Sequence, residues 1–255
     1  QGKLTKGWRV NNPNTEPASE LLKRIEAEKQ QLIAKKKIKK EKPLPPIVED
    51  EMPYELPEGW VWCRMVDTFI IGSSKRVFKH DYVKEGVPFF RSKEIGQLGR
   101  GDEVTTELFI SRERYNEFRE KFGVSRSGDV LMACIGGSIG NTWLVDDREF
   151  YYKDGNLVQI RSVQDIEGEY LLKYLDSSIF YDSALGKVSG SAYNALTIEK
   201  INKSLFPLPP LEEQKAIVNK VSSLMALCDE LEQQIETSNI QIEKLMQSCV
   251  AEALA

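Results

Sequence analysis

The chain has 255 residues, enough to bury a substantial core and to hold one or two domains with extensions. No apolar run approaches the length of a bilayer-spanning helix and no secretory signal opens the chain, so the expected setting is cytoplasmic, without membrane association. The net charge of -4 gives no global attraction to a polyanion, and a single histidine, His80, leaves little scope for His-based hydrolytic chemistry. Charge is nonetheless uneven: residues 1–46 hold twelve Lys and Arg against five Glu, whereas residues 211–255 hold three Lys against eight acids. Any nucleic-acid contact must therefore come from local patches.

In chain order, residues 1–46 open with a turn-rich stretch and continue as "ASELLKRIEAEKQQLIAKKKIKKEK". Leu21, Leu22, Ile25, Leu32 and Ile33 follow helical spacing, Thr15 and Pro17 supply a start signal, and the run Lys35–Lys42 ends the element. This predicts a helix of about six turns. Residues 47–59 are proline-rich and acidic, the texture of a linker. Residues 60–207 alternate short strands ("WVWCR", "DTFII", "VPFFR", "DVLMACI", "NTWLV", "NLVQI") with helices ("SRERYNEFREKF", "GEYLLKYLDSSIFYDSAL", "LTIEKINKSLF"). Ser111 and Thr197 are the expected N-caps, and the fold class is α/β (α+β).

Residues 208–255 read as one long helix. Ile217, Val221, Leu224, Cys228, Leu231, Ile235, Ser238, Ile242, Leu245 and Cys249 alternate steps of four and three, the a/d seam of a coiled coil, with Ser238 its polar member. A helix packed along its own domain is the alternative, although such helices usually carry a wider stripe.

Catalytic and metal signatures fail in turn. "GGSIGN" at Gly136–Asn141 lacks the Lys-Ser or Lys-Thr ending of a phosphate-binding loop. "NNPNT" at Asn11–Thr15 lacks the second proline and the aromatic of an adenine methyltransferase motif. The cysteines Cys63, Cys134, Cys228 and Cys249 are widely spaced and read as reduced structural thiols, with no metal site. What remains is a set of polar, cationic loops beside strands, which is what reading DNA requires: cations for phosphates and bidentate side chains for base edges. "GSSKRVFKHDY" supplies Ser73, Ser74, Lys75, Arg76 and Lys79; "FFRSKEIGQLGRGD" supplies Arg91, Lys93 and Arg100. "GKVSGSAYNALT" adds Lys187, Ser189, Ser191, Tyr193 and Asn194 in a loop whose glycines permit close backbone approach.

Taken together, "LPEGWVWCRM", "VPFFRSKEIG", "SGDVLMACIGGSIGN", "DGNLVQI", "YLLKYLDSS" and above all "LFPLPPLEEQKAIVNKV" resemble the specificity subunit of type I restriction-modification systems. The resemblance implies a target-recognition domain followed by a long helix that pairs antiparallel in a coiled coil. It implies binding to double-stranded DNA and docking to the methyltransferase (modification) subunits, with the restriction subunit reached indirectly. Chemistry is expected in those partners, which use S-adenosylmethionine, ATP and Mg, while this chain is no enzyme and needs no cofactor. The ends of the chain resemble the family's central region, so a C-terminal half or half-length subunit is expected, homodimerising through its helix. On this reading Arg91 and Lys93 face base edges. Lys75, Arg76, Lys79 and Arg100 hold phosphates, with Ser191, Tyr193 and Asn194 in a second contacting loop. A coiled-coil structural protein that ignores DNA, or a fragment of a fused methyltransferase-specificity enzyme, are the rival readings.

Overall fold

The computed structural model describes residues 1–163, 166–186 and 195–254. Helix α1 (Lys6–Asn11) and helix α2 (Ala18–Ala34) precede the strands. Helix α2 is shorter than its periodicity predicts. Lys36 adopts a left-handed φ of 55°, and the Lys36 and Lys37 amides bond back to the carbonyls of Ile33 and Leu32, closing the helix before the lysine run extends it. Its apolar face is not idle: Ala18, Leu21 and Ile25 are buried in the main core.

The segment after α2 is pinned rather than loose. The buried Arg64 side chain donates to the Lys203 and Pro45 carbonyls and to both oxygens of Glu51, and the Trp62 indole donates to the Tyr54 carbonyl.

The chain then forms β1 (Val61–Arg64), α3 (Met65–Thr68), β2 (Phe69–Gly72), β3 (Tyr82–Val83), β4 (Val87–Phe90) and α4 (Ser92–Gly99). There follow β5 (Phe109–Ile110), α5 (Arg112–Phe122), β6 (Val130–Ala133), β7 (Thr142–Leu144), β8 (Tyr151–Tyr152) and β9 (Leu157–Ser162). After α6 (Gly168–Leu175), α7 (Ser178–Leu185), α8 (Ile198–Lys203) and β10 (Leu205–Leu208) comes α9 (Leu211–Leu254). Among the described residues the strands make three sheets: β1-β10, β2-β9-β6-β7 and β3-β5-β4-β8, with β4 and β8 parallel and the other pairs antiparallel. This is the mixed α/β class expected.

Strand β6 shows why "VLMAC" is apolar without alternation. Val130, Met132 and Cys134 enter the main core beneath α2, α6, α7 and α8, while Leu131 and Ala133 enter a second core with Phe90, Ile95, Trp143 and Tyr152. Both faces are covered, so both must be apolar. Neighbouring Tyr151 points the other way, into a third core with Val87, Phe89, Ile110 and Phe118. Thus β4 and β8 join two cores edge to edge. Burial pushes the Cys134 thiol up to about 12 and the Cys63 thiol well above its usual value, so both are inert packing groups.

The expected caps are present: the Ser111 hydroxyl accepts from the Arg114 amide at 3.1 Å and Thr197 from that of Lys200 at 3.2 Å. The single helix expected over Gly168–Leu185 is instead two. Ser177 turns the chain, donating to the Tyr174 carbonyl and capping the Phe180 amide, and the extended backbone there redirects α7, whose Phe180 and Ala184 enter the main core. The helix expected over "LTIEKINKSLF" stops at Lys203, and Leu205 and Phe206 instead open strand β10, paired with β1. Strands β3, β5 and β8 and helices α1 and α3 went unread in the sequence, being short, and helix α4 went unread as well.

The start of α9 is rooted in the domain. The Tyr170 hydroxyl donates to the Pro207 carbonyl at 2.7 Å, and that of Tyr174 donates to the Leu205 carbonyl, fixing β10 just before the turn into the helix. Glu213 is fully buried, accepting from the Thr5 hydroxyl, the Arg9 guanidinium and the Trp60 indole. Gln214, equally buried, accepts from the Glu167 amide and donates to the Pro209 carbonyl. Ile217 lies in the main core, with Leu211, Val218 and Val221 packed against it. Beyond this root the helix leaves the domain.

Candidate nucleic-acid interface

Strand register gathers the candidate residues. Gly72, the end of β2, is opposite Gln159; Ala133, the end of β6, is opposite Leu157; and Phe90, the end of β4, is opposite Tyr152. The loops after β2, β4, β6 and β8 therefore emerge at one edge. Hydrogen bonds stitch them: Cys134 N–H to the Asn156 carbonyl at 2.9 Å, Lys153 N–H to that of Phe90 at 2.9 Å, and Leu196 N–H to that of Cys134 at 3.1 Å. The last bond brings the C-terminal end of the third candidate loop to this edge; Lys187, Ser189, Ser191, Tyr193 and Asn194 themselves lie outside the described residues.

Ser73 and Ser74 serve the loop itself. Their hydroxyls donate to the Leu157 and Tyr152 carbonyls at 3.0 and 2.7 Å, lashing the loop to the end of β8 and the start of β9. Lys75 is anchored through its backbone to the Tyr151 hydroxyl, with its ammonium 5.3 Å from the centre of the exposed Phe122 ring. The Arg76 guanidinium pairs with Asp154 at 2.8 Å. Lys79 begins a single 3-10 turn held by the Asp81 carboxylate, which accepts from the Phe78 amide.

Arg91 and Lys93 sit where β4 enters α4. The Glu94 carboxylate accepts from the Arg91 amide at 2.8 Å and from Nε and Nη2 at 3.2 and 2.7 Å. Burial alone would raise the Glu94 carboxyl, but Arg91 holds it below the usual carboxylate range; Glu94 in turn raises Arg91 above its ordinary value, keeping it charged. Arg91 Nη2 also reaches Glu107 at 3.0 Å, and Lys93 Nζ reaches the other Glu107 oxygen at 3.2 Å. Arg100, just past the C-terminal end of α4, pairs with Asp102 at 3.1 Å.

The sequence reading found the cations and missed their carboxylates. Glu94 had a signal, an acid three residues after the position preceding a helix. Asp154 and Glu107 had none, because their partners are distant in the chain.

The second surface is the shaft of α9. Leu224, Cys228, Leu231, Ile235, Ile242, Leu245 and Cys249 are exposed, Ile235 at 61% and Leu245 at 65%, whereas Ile217 is 9% exposed. Among the described residues no helix is long and apolar enough to cross a membrane.

Comparison with known proteins places the chain in a family. The family model described as "Type I restriction modification DNA specificity domain" matches residues 57–243. The type I restriction enzyme EcoAI specificity subunit of Escherichia coli is 34% identical over 237 residues, 89% of this chain and 38% of that protein. The EcoEI specificity subunit of the same organism is 31% identical over 246 residues, 94% of this chain and 40% of its own length. The HsdS subunit from Thermoanaerobacter tengcongensis shares the fold, with a TM-score of 0.53 at 23% identity over 90% of this chain and 49% of its own. A chain from a study of type I R-M assembly and conformational transition superposes with a TM-score of 0.57 at 24% identity, covering 91% of this chain and 54% of that one. The chain belongs to the type I restriction-modification DNA specificity family, and it spans about two fifths of the length of the two curated relatives.

Proposed function

We propose that this chain reads one half-site of a two-part DNA target and holds it at a fixed distance from its neighbour. The observation that carries the reading is the gathering of the β2, β4, β6 and β8 loops, with Lys75, Arg76, Arg91 and Lys93, at one edge of a domain of this family. Rigid strand ends are what base reading needs: a side chain can discriminate among base edges only if its backbone is fixed. Arg91, braced by Glu94, is the foremost candidate for a base edge, with Lys93 beside it; Lys75, Arg76, Lys79 and Arg100 serve phosphates, and Ser191, Tyr193 and Asn194 form the second contacting loop.

The exposed seam of α9 is the surface for a second helix, supplied by another copy of this chain as a homodimer or by another recognition unit. The chain performs no chemistry and binds no cofactor of its own. Methyl transfer belongs to modification subunits that dock on it, and the restriction subunit joins through them. Selection from randomised duplex DNA, with and without modification subunits, tests this: a two-part motif with a fixed gap is expected, and no enrichment in either condition would leave only the helix-pairing role. Arg91→Ala should then cost about 1–3 kcal/mol and relax preference at one base position.

A further inference from the structure

The cations of the loop edge are largely paired already. Arg76 is held by Asp154, Arg91 by Glu94 and Glu107, Lys93 by Glu107, and Arg100 by Asp102. A surface built only to attract phosphates would leave its cations free, since sequence-independent binding is driven by cations that neutralise phosphates and release counterions.

The carboxylates around Arg91 are of two kinds. Glu94 is 2% exposed in its side chain and bonds the Arg91 amide as well as its guanidinium, so removing it would strand a helix start; it is a permanent brace. Glu107 is 56% exposed and stands on the irregular stretch between α4 and β5, bridging Arg91 Nη2 and Lys93 Nζ with its two oxygens. Its contacts are solvent-facing ion pairs, which water and salt weaken, and it supports no backbone group with them. It can leave its cations at small cost. The two cations hold its carboxyl below the usual range, so it stays ionised in neutral solution.

We infer that Glu107 is a specificity-determining residue of DNA binding, an internal counter-ion that occupies Arg91 and Lys93 and yields them only to a ligand offering better geometry than one carboxylate. The inference rests on the DNA-reading function proposed above. A guanine edge presents O6 and N7 together to a guanidinium, and a matched half-site aligns such an acceptor pair with Arg91. A mismatched duplex offers phosphates alone, with which Glu107 competes on nearly equal terms. Glu107 therefore subtracts more from non-specific than from specific affinity.

The test compares the full chain with its Glu107→Gln variant, assembled with modification subunits, on a selected duplex and on a scrambled duplex of equal length across a salt series. The expected result is a rise of about tenfold in affinity for the scrambled duplex, with a salt dependence steeper by roughly one to two phosphate equivalents. Affinity for the selected duplex should rise by less than about threefold, so the specificity ratio falls. Identical behaviour of variant and parent on both duplexes overturns the inference while leaving DNA reading intact. Loss of affinity confined to the selected duplex also overturns it, marking Glu107 instead as an acceptor for a cytosine amino group. A parent chain that retains neither duplex overturns the DNA-reading function and this inference with it.

Discussion

The root of α9, from Leu211 to Val221, and its shaft, from Leu224 to Val250, continue one heptad pattern and use it in opposite ways. In the root the apolar positions fill the domain core and two polar side chains, Glu213 and Gln214, are buried with every contact aimed at the domain. In the shaft the same spacing lies open to solvent. The difference teaches that heptad spacing alone does not say what covers a stripe. Buried polar residues at the start mark where a helix is fastened, and their absence further along marks where it is available.

Substitutions can break this contrast. Glu213→Ala removes the buried acceptor shared by the Arg9 guanidinium, the Thr5 hydroxyl and the Trp60 indole, and should cost about 2–4 kcal/mol in denaturant unfolding; a loss below about 1 kcal/mol would mean that the root is not fastened there. Ile217→Ala, which opens a void in the main core, should cost about 2–4 kcal/mol in the same assay. Leu231→Asp with Ile235→Asp should leave domain stability within about 0.5 kcal/mol while abolishing any helix pairing seen in sedimentation. A large stability loss would show that the shaft folds back on its own domain. The smallest effect belongs to Ser238→Leu, which should be silent for the domain and tighten pairing by about 1 kcal/mol, read as a shift in the concentration at which the pair forms.

Much of this was legible in the sequence where local chemistry decides. The caps at Ser111 and Thr197, the apolar run of β6 and the a/d seam all follow from residue type and spacing. Helix α4 was not legible, because its glycines argue against a helix. The structure supplies the reason for one of them: a Cβ on Gly99 would lie 2.0 Å from the Thr142 carbonyl oxygen, so α4 can press on β7 only with glycine there. The "LEEQ" entry resembled a family signature without explaining itself, and its physical content is the buried pair Glu213 and Gln214. The interface was half legible. Cations announce themselves by composition, but Asp154 and Glu107 reach theirs only through the tertiary fold.

The exposed thiols of α9 give the molecule a compass. Cys228 and Cys249 are three heptads apart and share the a position, since Leu231 follows the first after three residues. Two such helices running the same way in register would set each cysteine beside its twin, within reach of a disulfide after a small adjustment. Helices running in opposite directions set a positions against d positions, where each thiol meets leucine, isoleucine or Ser238 and stays reduced. Where the partner is a second copy of this chain, gentle oxidation followed by a non-reducing gel therefore reports the direction of the paired helices without any label or substitution.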